Sequence, residues 1–312
     1  MSMTILMELV LLAVGFFMLV KGADWFVDGA SGIADKFGIP QLVIGLTIVA
    51  MGTSMPEASV SITAALKGSA DITVGNVVGS NILNILIILG LASAITSIAV
   101  AKTTIRYEIP FMLFVTVLLA VLGYTGGTIS LVEGIIFWAF FILYLVYMFW
   151  LVKTGQAEAD EMEVEGSIGK LLLMVAGGLL LIVWGSNVSV DAATALARIF
   201  GVSERFIGLT IVALGTSLPE LVTSVSAARK GKADIAIGNI VGSNIFNILF
   251  VVGTSALIIP VAFASNFVID CAIAVAAGVL LWAFVFRTGK LTRVGGITML
   301  IGYAAYFVYL LG

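Results

Sequence analysis

The run Gly52-Thr53-Ser54-Met55-Pro56-Glu57 gathers a hydroxyl pair, a proline and a carboxylate inside an otherwise apolar stretch. Pro56 has no N–H to offer the carbonyl four residues back, and its ring crowds that turn, so the carbonyls around Gly52 and Thr53 are loosened from a helical ladder. In hydrocarbon such groups are tolerated only where they are buried in protein or meet water or an ion. Glu57 follows Thr53 by four residues, which puts carboxylate and hydroxyl on one helical face. The same run recurs as Gly215-Thr216-Ser217-Leu218-Pro219-Glu220. Every group offered is a hard oxygen donor. Ca²⁺ takes about six to eight such oxygens at roughly 2.3–2.6 Å with tolerant geometry, whereas Mg²⁺ holds its waters and demands a tight octahedron. Glu57 and Glu220 together would cancel the charge of one divalent ion. Soft metals are disfavoured, because the chain has no histidine and only one cysteine. A single proline would be read as a kink and a single hydroxyl as back-bonding to its own helix. Two copies, each with its own glutamate, read as a site.

The duplication is wider than the hexapeptide. Residues 44–90 align without a gap on 207–253 at an offset of 163, with 31 of 47 positions identical. Asn76, Ser80 and Asn84 recur every four residues and form one polar stripe, repeated as Asn239, Ser243 and Asn247. Gly75 and Gly79, and again Gly238 and Gly242, make G-x-x-x-G pairs that suit close helix crossing. A stripe built only for packing need not stay polar, so Ser80, Asn84, Ser243 and Asn247 are assigned to ligands or their immediate support. Asn81 and Asn244 point elsewhere and are expected to bond backbone. Asp28 and Asp191 match at the same offset and are expected to cap or support helix ends. Costly polar groups at membrane depth mark function, and duplicated, Gly- and Pro-interrupted apolar segments mark a secondary transporter.

The elements that must hold these groups are membrane-spanning helices. Of 312 residues, 61% are hydrophobic and 11% charged, far from soluble composition. Apolar runs long enough to span fall at about 4–22, 40–66, 72–98, 107–125, 129–152, 168–188, 203–228, 235–260, 266–286 and 294–311. The expected fold is an all-α polytopic membrane protein with ten transmembrane helices in two inverted five-helix repeats. The halves are residues 1–153 and 168–312, joined by an acidic cytoplasmic linker at 154–167, with repeat motifs at 40–92 and 203–255. An odd number of spans per half makes the second copy cross in the opposite direction. With both termini outside, eleven basic residues face the cytoplasm (Lys36, Lys102, Arg106, Lys153, Lys170, Arg229, Lys230, Lys232, Arg287, Lys290 and Arg293). Only Lys67, Arg198 and Arg205 face outward, with Lys21 unassigned, a clear positive-inside bias. The first segment lacks a basic leader and cleavage site and is expected to stay as a span of a multi-pass cell-membrane protein. No phosphate loop of the G-x-x-x-x-G-K-[ST] type occurs, so the chain reads as neither an ATP-driven pump nor an enzyme, and nothing points to nucleic acid. Cys271 is read as packing.

The paired GTS-x-PE and GN-x-x-GSN segments resemble the α-repeats of the calcium/cation antiporter superfamily, specifically prokaryotic sodium/calcium exchangers. The resemblance implies four central helices around the ions and electrogenic exchange of several Na⁺ for one Ca²⁺; the sequence points to no cofactor and no obligatory protein partner, and it leaves the oligomeric state open. It places calcium ligands on Glu57, Glu220 and the carbonyls of Thr53 and Thr216. Sodium ligands fall on the same residues, on Ser54, Ser80, Ser217 and Ser243, and on the carbonyls of Ala50 and Ala213. The central polar position falls on Asn84 and Asn247, where archaeal and potassium-dependent relatives carry Asp in the second repeat. GNVVG and GNIVG also differ from the GN-x-x-E of proton/calcium exchangers. Proton- or potassium-coupled antiport is the alternative within the class, and a passive cation channel the alternative outside it.

Overall fold

A computed structural model of the chain describes residues 2–70, 72–154, 167–201 and 213–311. The first half opens with a 36-residue helix, α1 (Ser2–Phe37). A broken rod follows: α2 (Gln41–Ile44), a π-helical turn (Gly45–Val49), α3 (Ala50–Thr53) and α4 (Met55–Leu66). The next rod is α5 (Ile72–Leu83), a second π-turn (Asn84–Leu89) and α6 (Gly90–Ile95). Strand β1 (Ile98–Ala99), a third π-turn (Thr104–Glu108), α7 (Ile109–Gly126), β2 (Thr128–Ile129) and α8 (Leu131–Thr154) complete it. The second half runs α9 (Ile168–Ile199), α10 (Ala213–Thr216), α11 (Leu218–Arg229) and α12 (Ala233–Phe246). It ends with a π-turn (Asn247–Val252), α13 (Gly253–Ile258), β3 (Val261–Ala262), α14 (Phe267–Thr288), β4 (Lys290–Leu291) and α15 (Arg293–Leu311).

The duplication seen in sequence is kept to the residue. α10, α11, the Asn247 π-turn, α13 and β3 start and end 163 residues after α3, α4, the Asn84 π-turn, α6 and β1. Two-residue ladders tie the halves together, β1 against β4 and β2 against β3. Among the described residues eight helices are long and apolar enough to cross a membrane, and the bent pair Gln41–Thr53 with Met55–Leu66 makes nine. The start of the expected span at 203–228, with Arg205, and most of the acidic linker lie outside the described residues.

The innermost rods are α12–α13 and α5–α6, with 94% and 72% of their most apolar windows enclosed, against 11% for α1. β-branched and leucine side chains fill the space between them, among them Val74, Val77, Ile82, Ile237, Ile240 and Val241. Phe246 and Phe250 stack at 4.6 Å and receive Trp138 and Phe141 from α8. The core is therefore rigid and close-packed along its length.

α1 and α9 are longer than expected, reaching Phe37 and Ile199 instead of ending near 22 and 188. At 1.5 Å per residue α1 measures about 54 Å, well over the hydrocarbon thickness, so it must lie tilted. The hydropathy boundary missed its last turns because they are polar while remaining helical. The two helices pack on each other through glycines seven residues apart. Gly15 lies against Gly185 and Ser189, Gly22 against Gly178 and Ile182, and Gly29 against Leu171 and Val175, so the pair is antiparallel. The backbones are close enough that a Cβ on Gly178 would sit 2.6 Å from the Phe26 nitrogen and 2.7 Å from the Gly22 carbonyl. Gly178→Val should therefore lower stability by about 1–3 kcal/mol. Gly177→Val, with nothing within 4 Å of its Cβ position, should be near neutral. Thermal unfolding of the two purified variants in detergent checks the contrast.

Candidate functional site

The site forms where two broken helices meet the two central rods. The first breaks at Ser54 (φ −83°, ψ 10°) with a bend of 50°, and the second at Ser217 (φ −93°, ψ 4°). Pro56 and Pro219 sit in the first turn of α4 and α11, where a missing N–H has no helical partner to lose. The break thus falls two residues before the proline. Glu57 and Glu220 lie in the first turns of the restarted helices, where the helix dipole favours an anion.

Ser54-x-x-Glu57 has the spacing of a capping box, in which serine and glutamate would serve their own helix end. Neither serine caps its own helix. The hydroxyl of Ser54 donates to Glu220 Oε1 at 2.7 Å, and that of Ser217 donates to Glu57 Oε1 at 3.1 Å. Each half's serine holds the other half's carboxylate, which brings both glutamates into one cluster. Glu57 and Glu220 are fully buried. The expected pairing of Thr53 with Glu57 on one face is not what the hydroxyl does. Thr53 Oγ1 donates to Asn239 Oδ1 at 3.0 Å and to the Ala50 carbonyl at 3.3 Å.

The asparagines form a symmetrical frame. Asn76 Nδ2 donates to the Glu57 carbonyl (3.3 Å) and to Ser61 Oγ (2.9 Å), and Asn239 repeats this with the Glu220 carbonyl (3.3 Å) and Ser224 Oγ (2.9 Å). Asn81 and Asn244 each donate to the other's backbone carbonyl, at 3.1 and 3.2 Å. Their side-chain oxygens accept from Asn247 Nδ2 (3.2 Å) and Asn84 Nδ2 (3.0 Å) respectively. That fixes which way Asn84 and Asn247 turn. Both begin π-turns, a helix defect frequent at functional sites. Among these glutamates and asparagines four buried acceptor oxygens are left with no hydrogen-bond partner: Glu57 Oε2, Glu220 Oε2, Asn84 Oδ1 and Asn247 Oδ1. Two come from each half. No basic side chain among the described residues pairs with either glutamate.

The remaining sequence-expected residues are placed as follows. Ser80 is buried on α5, and Ser243 Oγ on α12 donates to the Ala50 carbonyl at 3.3 Å. Thr216 lines a cavity at the end of α10. Ala213 begins α10. Gly238 and Gly242 pack on Gly45, Leu46 and Ala50. The segment that should face Gly75 and Gly79 in the same way lies outside the described residues. Ser61 and Ser224 escaped the reading of the sequence, although both follow a glutamate by four residues and both are kept in the repeat.

A pattern characteristic of the sodium/calcium exchanger protein family matches residues 7–150 and 170–312. The chain belongs to that family. This exchanger is 41% identical over 315 residues to a putative antiporter, CaxA, of Alkalimonas amylolytica, covering 96% of this chain and 98% of the relative. It is 31% identical to the sodium/calcium exchanger MaX1 of Methanosarcina acetivorans, covering 98% and 99%. Its fold is similar to a solved structure of the sodium-calcium exchanger NCX_Mj soaked with zero Na⁺ and Ca²⁺, with a TM-score of 0.85, 32% identity and coverage of 98% and 99%. The chain is a membrane antiporter of the calcium/cation class.

The two ends of the exchanger differ in their ion pairs, and a cavity opens at each; the one at the Lys230 end, about 650 Å³, is lined by Asp24, Leu221, Val222, Ser226 and Lys230. At one end Lys230 Nζ binds Asp28 (2.7 Å), Asp24 Oδ1 (3.4 Å) and the Asp24 carbonyl (3.1 Å), while Ser226 Oγ donates to Asp24 at 2.7 Å. This clasp joins α11 to α1, so Asp28 ties two helices together partway along α1; it does not cap a helix end. The residues 163 away are Lys67, Asp191, Asn187 and Thr63, and Lys67 and Asp191 make no ion pair among the described residues. A cavity of about 400 Å³ opens there between α4 and α9, lined by Ser59, Asn187 and Asp191, and reaches Pro56, Gly215 and Thr216.

Asn244→Ala removes two bonds of the frame at once, leaving Asn84 Nδ2 without its acceptor and the Asn81 carbonyl without its side-chain donor. The expected loss is about 1–3 kcal/mol, read as a lowered midpoint in thermal unfolding of the purified exchanger.

Proposed function

We propose that this exchanger carries Ca²⁺ and Na⁺ in opposite directions across the cell membrane by alternating access, several Na⁺ for one Ca²⁺ and therefore electrogenically. The four unpartnered oxygens of Glu57, Glu220, Asn84 and Asn247 carry the reading. Buried acceptors without donors cost about 1–3 kcal/mol each, and more when charged; a cation repays that cost. Two carboxylates neutralise Ca²⁺, and two neutral amide oxygens add ligands without added charge. Na⁺ is of similar size and also prefers oxygen, so one cluster holds one kind of ion or the other.

The resemblance adds the carbonyls of Thr53 and Thr216 for Ca²⁺. For Na⁺ it adds Ser54, Ser80, Ser217, Ser243 and the carbonyls of Ala50 and Ala213. The Ser54 and Ser217 hydroxyls use their protons on the glutamates, which leaves their lone pairs for an ion. The Ala50 carbonyl already accepts from Ser54 N at 3.1 Å and from Thr53 Oγ1 and Ser243 Oγ at 3.3 Å, and the two long bonds would yield to Na⁺. An empty cluster would leave two like charges facing each other, which opposes reorientation without cargo and couples the two fluxes.

The recurrence of elements at 163 residues and the antiparallel α1–α9 pair support ten helices in two inverted halves, 1–153 and 168–312, joined by the acidic cytoplasmic linker at 154–167. With Lys230 at the cytoplasmic end, as the basic-residue bias indicates, the cavity beside Thr216 opens outward and reaches Pro56 and Gly215, while the clasp bridges α11 to α1 across the inner cavity, narrowing that approach.

Two experiments bear on this. ⁴⁵Ca²⁺ uptake should appear in sodium-loaded proteoliposomes and not in potassium- or proton-loaded controls, and Glu57→Gln or Glu220→Gln should bring it to background while the protein stays folded. Normal flux in either variant would refute the site. Lys230→Ala should make a cysteine placed at Val222 more reactive toward a membrane-impermeant thiol reagent added from the cytoplasmic side; unchanged labelling would remove the clasp from gating.

A further inference from the structure

A second polar group lies buried away from the cation cluster. Glu108, at the end of the Thr104–Glu108 π-turn, is 1% exposed. Tyr147 donates to its Oε1, and its Oε2 has no hydrogen-bond partner. The carboxylate lines a cavity of about 490 Å³ between α7 and α8 whose other walls include Tyr107, Phe111, Tyr144 and Tyr147, with Arg106 beside it. Phe111 and Tyr144 stack at 6.0 Å with an interplanar angle of 6°, and the Arg106 guanidinium lies 5.6 Å from the Tyr107 ring centre. Arg106 and Tyr107 are exposed at the mouth.

This lining has the chemistry of a zwitterion. Aromatic faces attract an ammonium group, the free carboxylate oxygen takes an N–H donor, and the guanidinium at the mouth suits a phosphate. The depth is also suitable. Lys102, Arg106 and Lys153 cluster at this end of the two helices with exposed Tyr107 and Trp150, the residue types of a membrane–water interface. Leu143 on the cavity wall faces outward, toward acyl chains. We propose that the cavity between α7 and α8 seats the headgroup of a phosphoethanolamine lipid, its primary ammonium on Glu108 Oε2 and its phosphodiester on Arg106. A choline headgroup has no N–H for the carboxylate, and an anionic glycerol headgroup would face Glu108 with like charge. The seat adjoins Tyr144, whose hydroxyl donates at 2.7 Å to the Leu46 carbonyl in the π-turn leading to the broken segment Ala50–Glu57. A bound headgroup would thus brace the element that carries Glu57.

Native mass spectrometry of the purified, delipidated full chain, titrated with short-chain phosphatidylethanolamine, phosphatidylcholine and phosphatidylglycerol, tests the assignment. Phosphatidylethanolamine should bind on the order of tenfold more tightly than phosphatidylcholine, as a charge-assisted hydrogen bond warrants. Glu108→Gln should erase the difference, and Leu143→Trp, which fills the cavity from its outer wall, should weaken the ethanolamine lipid selectively. Equal binding of the two lipids, preference for phosphatidylglycerol, or a preference that survives Glu108→Gln would overturn it. Hexylammonium competing as strongly as the lipid would show an ammonium pocket without lipid recognition and overturn the lipid assignment. Should Glu108→Gln fail to fold by size exclusion, Leu143→Trp decides alone, and its unaltered lipid preference would refute the seat.

Discussion

Two glutamates sit fully buried, one from each half, with no basic partner among the described residues. The arrangement at the centre holds that pair of carboxyl groups in place without a basic partner. Hydroxyls, amides and helix N-termini can stabilise a carboxylate while leaving its net charge available. In the proposed cation site a lysine or arginine would remove the reason for a cation to enter. The protein accordingly uses serine donors on one oxygen of each carboxylate, places both at the start of a helix, and leaves one asparagine oxygen in each half without a donor. Lys230, at the end of α11, instead joins that helix to α1.

The membrane character, the duplication and the identity of the polar residues were legible in the sequence, because polar side chains kept in two copies amid hydrocarbon stand out. The spans at 72–98 and 235–260 correspond closely to α5–α6 and α12–α13. What was hidden depends on partners far apart in the chain. Ser54 and Glu57 have capping-box spacing, yet the bond runs to Glu220, and no local pattern distinguishes a self-cap from an exchanged one. The π-turns at Asn84 and Asn247 had no signal, since their φ and ψ stay helical and only the bonding register changes. The length of α1 was missed because hydropathy reports solvent preference, and a polar segment can continue a helix that packing supports. Asp28 was expected to cap or support a helix end, and the partner through which it gives support, Lys230 at the end of another helix, is not written in the local sequence.

The fold separates a stiff part from a smooth one. The α5–α6 and α12–α13 rods are enclosed, with interlocked branched and aromatic side chains that leave little freedom to shift. α1 and α9 meet along glycines instead, with few side chains interdigitating and lipid on their outer faces, where Phe16, Phe17, Leu173 and Trp184 are exposed. Their firm polar attachment to the core includes the clasp at Asp24 and Asp28. In the proposed cycle such an arrangement lets the long pair move as a unit over a fixed site, and the duplicated halves give that movement two related end points.

The exchanged serine bonds also bear on how the protein is made. Glu57 leaves the ribosome 160 residues before Ser217, and at roughly 5–20 residues per second that interval lasts about 8–30 s. During it the newly inserted first half holds a carboxylate and the amides of Asn81 and Asn84 whose partners do not yet exist. The insertion machinery, or water it admits, must shelter these groups until translation of the second half supplies the matching hydroxyl and amides. Assembly of the membrane protein is therefore a single late event, and a chain released at the midpoint would be left with its most polar residues facing lipid.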